Sequence, residues 1–93
     1  MSSAGEVSEG GELPEVDFST FVLSLAHSVL VHLGQVAPPP GETISVNLVL
    51  ARQTIDLLIL LGEKTKGNLT GAEERLLEQL LYDVRSRYVE AAR

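Results

Sequence analysis

Apolar residues recur at three- and four-residue steps in three stretches, separated by a proline-bearing gap and a short Gly-Asn connection. In the first stretch Phe18, Phe21, Val22, Leu25, Val29, Leu30 and Leu33 form one wide apolar stripe, which predicts a helix over about 18–33. Asp17 or Ser19 is placed to cap it and Gly34 to end it. Ser24, Ser28 and His32 fall opposite much of the stripe, and no charged residue occurs between Asp17 and Glu42. Residues 34–46 (GQVAPPPGETISV) cannot be helical in the middle. The prolines lack amide donors and restrict the residue before each. This stretch reads as a stiff connector, with Thr43–Val46 a candidate short extended segment. Pro38–Pro40 also has the form of a proline-recognition ligand, although plain spacing between helices accounts for it.

A second helix is predicted over about 47–66, with Asn47 as its cap and Gly67 beyond its end. Lys64 and Lys66 suit the negative end of its dipole, and Arg52 and Asp56 form an i,i+4 pair on a wet edge. Its centre, Leu57–Leu58–Ile59–Leu60–Leu61, advances through about 400–500 degrees and points in every direction. Thr70 and Glu73 have the spacing of a capping box, with Leu69 as the staple residue, and start a third helix over about 70–90. Leu76, Leu77, Leu80, Leu81, Val84 and Tyr88 mark its buried stripe. The short link between the last two helices predicts an antiparallel hairpin with arms of about 30 Å. The expected fold is therefore all-α, a three-helix chain packed as a homo-oligomeric helical bundle.

Residues 1–12 (MSSAGEVSEGGE) are too polar to pack and are read as a disordered acidic tail, leaving 13–93 as a single helical domain. Leu13 and Val16 are expected to lie against it. The net charge of -6 is mostly a property of this end. Glu6, Glu9, Glu12, Glu15 and Asp17 face no base there, while the remainder holds seven bases against eight acids. Without a Lys/Arg cluster, nucleic-acid binding is not expected. The acidic, glycine-rich start is unlike a signal peptide, and cytoplasmic location is the expectation. No helix reaches the roughly 20 apolar residues of a membrane span. The absence of cysteine removes disulfides and thiolate metal sites.

A short chain buries a smaller share of its surface than a large one, so its margin of stability rests on close helix packing or on association. The all-round apolar centre of helix two and the uncharged helix one imply a covered face, and self-association is the expected cover. The residues assigned to this interface are Phe21, Leu25, Leu57, Leu58, Ile59, Leu60, Leu61, Arg85 and Tyr88. Arg85 and Tyr88 come from the block YDVRSRY at 82–88, where Tyr82, Arg85 and Tyr88 have the character of interface anchors, the plainer reading being a surface ion pair with Tyr88 packed and its hydroxyl at the edge. In that block Asp83 and Arg87 also form an i,i+4 pair.

Catalytic chemistry finds little support. His27 and His32 lie five apart, about 140 degrees around a helix, and cannot both aim at one metal from a single subunit. Ser24 and Ser28 have no placed acid to complete a nucleophilic site. No carboxylate shows the Glu-x-x-His spacing of di-iron bundles, and no glycine-rich phosphate cradle follows a strand. No catalytic residue, cofactor or metal is assigned.

The segments LPEVDFSTFVLSLA (13–26) and NLVLARQTIDLLILLGEKTKGNLTGAEERLLEQLLYDVRSRYVE (47–90) together resemble the bacterial family known as domain of unknown function 1844. The resemblance covers about residues 13–90 and rests on DFSTF, QTIDLL, EKTKGNLT and YDVRSRY. Val84 stands where the family often has leucine. The resemblance implies a small cytoplasmic helical protein and supplies no activity, cofactor or catalytic residue. The leading expectation is a structural or adaptor protein that acts as a homo-oligomer and binds another protein. The alternatives are a carrier or sensor of a small apolar ligand held between Leu57–Leu61 and Val22–Leu33, and an enzyme with an intersubunit site.

Overall fold

A computed structural model describes residues 16–93. The tail expected over 1–12 and the packing expected of Leu13 lie outside the described residues. Three helices follow one another, α1 (Phe18–His32), α2 (Leu48–Lys64) and α3 (Gly71–Ala92), and each packs against the other two. All described regular structure is helical, as the periodicity predicts. Thr43–Val46 forms no strand.

Each boundary has a local cause. The Asp17 carboxylate accepts from the Thr20 amide at 2.8 Å and starts α1. At the other end the Gly34 amide donates to the Val31 carbonyl and the Gln35 amide to the Leu30 carbonyl, each at 2.9 Å. This is a Schellman closure, and Gly34 makes it possible by adopting φ +74. A Cβ there would also sit 3.0 Å from a Val46 methyl, so the returning connector presses on the same residue. The Asn47 amide then donates to the His32 carbonyl at 2.7 Å, which brings the start of α2 to the end of α1. Asn47 caps α2 by accepting from the Leu50 amide at 2.9 Å. The predicted capping box opens α3: the Thr70 amide donates to Glu73 at 2.8 Å, and the Glu73 amide to the Thr70 hydroxyl at 3.1 Å.

The Asp17 cap carries a pH signature. The Thr20 amide, with a smaller contribution from the Thr20 hydroxyl, holds its carboxyl below the ordinary value of 3.8. The cap is therefore intact above the unfolded value and is lost as pH falls through the lower folded one. In an NMR titration the Thr20 amide shift should move with a midpoint below 3.8 and stay flat in Asp17→Asn. A midpoint at or above 3.8 would contradict the cap.

The core consists of Val22, Ala26, Val29 and Leu33 from α1 and its cap, Ala51, Ile55 and Leu58 from α2, and Leu77 and Val84 from α3. Phe18, Leu25, Leu69, Leu80, Leu81 and Tyr88 pack around it. Each fully buried Val or Leu contributes about 1.5–3 kcal/mol through removal from water. Val16 does not join this core, contrary to the sequence expectation: it is 84% exposed, one residue before the extended Asp17 cap and so outside the helical phase of the stripe. Thr54 is the one buried polar residue among those described, and its hydroxyl donates to the Leu50 carbonyl at 2.9 Å. At the far end Arg87 holds Asp83 with 3.1 Å bonds from Nε to both carboxylate oxygens, and its Nη1 donates to Gln35 at 3.0 Å. The predicted Asp83–Arg87 pair is present, and it ties α3 to the connector through a residue that the pattern did not mark.

Candidate interaction surface

Helix periodicity decides which leucines of α2 face inward. Ala51, Thr54, Ile55 and Leu58 are buried at steps of three and four, so the residues flanking them turn outward. Leu57 and Leu60 are each 48% exposed, and Leu61 is half-buried beside them. On α1 the core takes Val22, Ala26 and Val29, which leaves Phe21 45% exposed and Leu25 half-buried. Phe21, Leu25, Leu57, Leu60 and Leu61 meet along an open cleft of about 240 Å³, with Lys64 at its edge. Apart from that ammonium its lining is hydrocarbon. Leu50, on the same stripe of α2 by spacing, is exposed as well.

Five of the residues assigned to an interface from sequence thus share one surface. The other four do not. Leu58 is fully buried in the chain's own core, so it is not available to a second chain. The reason is the seven-residue step from Ala51, which returns it to the inner face. Ile59 lies a further 100 degrees around and lines the groove between α2 and α3 with Gly62, Leu77 and Leu81. Arg85 is exposed on α3, whereas Tyr88 packs against the core. The aromatic neighbour of Arg85 is Tyr82, which is 77% exposed and borders one open depression with Glu78, Leu81, Arg85, Ser86 and Val89.

The histidines line a different cleft, beside the connector. His27 is exposed and His32 half-buried, and both border a cleft of about 450 Å³ with Ser28, Pro38, Pro39 and Glu42. They reach the same cleft because residues 37–42 fold over the end of α1, which the angle between them on the helix could not reveal. Among the described residues no three His, Asp or Glu side chains come together as a metal site. Nor is any described helix long and apolar enough to cross a membrane.

Neither a curated protein nor a solved structure matches the chain. The model of one family, Domain of unknown function (DUF1844), matches residues 15–90, a span that takes in all three helices and both the apolar cleft and the Tyr82–Arg85 surface. The chain belongs to that family.

Proposed function

We propose that this chain is a non-catalytic structural or adaptor protein of the cytoplasm, which assembles with copies of itself and binds a further protein. The observation that carries the reading is the contiguous apolar surface of Phe21, Leu25, Leu57, Leu60 and Leu61. Phe21, Leu57 and Leu60 expose nearly half of their area to water, and burial in a contact releases about 25 cal/mol for each Å² covered. In this reading α2 and α3 form an antiparallel hairpin that supports the surface from behind. The tight turn at 65–70 and the approach of Gly62 to a Leu77 methyl, 3.1 Å from where a Cβ would stand, favour that arrangement.

The cleft suits a protein contact better than a small apolar ligand. Its volume of about 240 Å³ is below the roughly 300–1,000 Å³ of ligand pockets, and it is open along its length. Light scattering over a dilution series tests the proposal. The wild type should have a mass above that of one 10.0 kDa chain, and Leu57→Glu with Leu60→Glu should weaken association by about 100-fold or more while the helical signal persists. A monomeric wild type at every concentration, or a double variant with unchanged mass, would sink it.

A further inference from the structure

On α3, Glu78, Leu81, Tyr82, Arg85, Ser86 and Val89 recur at steps of three and four and border one open depression. The depression adjoins the α2–α3 groove, which Glu78, Leu81 and Arg85 also line. Tyr82 is the most exposed aromatic among the described residues. The ion pairs among the described residues are Arg52–Asp56, Arg87–Asp83 and Arg93–Glu90, so neither Glu78 nor Arg85 pairs with another described residue. They are seven residues apart, which sets them on one face about 10 Å apart along the axis, with Leu81 and Tyr82 midway between.

We propose that this face takes the α3 face of a second copy, in an antiparallel two-fold contact centred on Leu81 and Tyr82. This is a separate surface from the α1–α2 cleft. The register follows from charge: with the axis midway between residues 81 and 82, Glu78 of each copy stands opposite Arg85 of the other. Two acids and two bases then face each other at once. A parallel contact would instead set Glu78 against Glu78 and Arg85 against Arg85, and like charges facing each other disfavour it. The helix dipoles also favour the antiparallel choice. The α3 residues that line the two adjoining depressions run from Glu74 to Val89, about 22 Å of helix. Tyr82 serves as the anchor, a large side chain with few rotatable bonds beside an arginine. With two separate association surfaces on one chain, pairs formed through α3 join through the apolar cleft into larger assemblies.

The experiment is done in the Leu57→Glu, Leu60→Glu background, where the α3 contact stands alone. Arg85→Glu should weaken the remaining association at least about tenfold by light scattering. Adding Glu78→Arg should restore it, because exchanging both charges recreates the same pairs. Tyr82→Ala, which removes the anchor, should weaken the same association at least about tenfold. An Arg85→Glu or Tyr82→Ala mass equal to its parent, or a charge exchange that fails to restore association, would each overturn the α3 contact. Loss of the cleft contact alone leaves these readings intact, so the two proposals fail separately.

Discussion

Leu58→Ala is expected to lower the unfolding free energy by about 2–5 kcal/mol. Leu58 is among the largest fully buried side chains of the described residues and belongs to the core that all three helices build. Removing three carbons there forfeits the transfer of the side chain out of water and leaves a cavity that rigid helices fill only in part. A domain of this size holds roughly 5–15 kcal/mol in total, so the variant should unfold at a much lower urea concentration. Leu57→Ala, one residue away and half-exposed, should shift the midpoint far less in a monomeric background. Equal losses at the two positions would mean that α2 does not present the face described above.

The second large effect is expected from the opposite change at a neighbouring core position. Ala51 is fully buried in the first turns of α2, close to where the connector returns to the end of α1. Ala51→Leu keeps a good helix former, so any loss comes from volume alone. Extra methylenes in a filled core force neighbours off their rotamers or push the backbone, at a cost of about 1–3 kcal/mol. Circular dichroism during urea unfolding would register it as an earlier midpoint with the helical signal kept at zero denaturant. A loss under about 0.5 kcal/mol would show that α1 and α2 separate at that end without resistance.

These two positions also show where the sequence was readable and where it was not. The helices, the Asp17 and Asn47 caps and the Thr70–Glu73 box were legible because each depends on residues three or four apart. On α3 the apolar stripe is written in leucines against charged neighbours, and Leu77 and Val84 are buried as that contrast predicts. On α2 the eye goes to five consecutive apolar residues, whereas the buried line is Ala51, Thr54, Ile55 and Leu58, with Gly62 continuing it toward Leu77. Three of those five are small. Small side chains carry little hydrophobic signal, yet they allow close approach between helices, so the stripe that matters for packing was the faintest in composition.

The candidate surface was legible for the same reason in reverse. Phe21, Leu57 and Leu60 stood out as apolar residues in excess of one core, while Leu58 could be separated from them only by fixing the phase of the helix. Ala51 and Thr54 would have fixed it. On α3 the block 82–88 is dense in side chains able to make contacts, and telling exposed Tyr82 from core-packed Tyr88 needs the phase set by Val84. The Gln35–Arg87 bond spans 52 residues, and no local spacing predicts a pairing at that distance.

The connector between α1 and α2 is fastened at both ends, by the Gln35 amide on Leu30 and the Asn47 amide on His32. Most of what lies between, including Pro39, Pro40 and Gly41, is exposed. Its span is thus fixed by the pins and its contour length is not. Loop closure depends only logarithmically on length, so doubling the exposed stretch costs about 0.6 kcal/mol. Insertions and deletions at the proline tip are therefore nearly silent in the energetics of the bundle, whereas a change of one residue at either pin shifts the phase of a helix and turns its core outward.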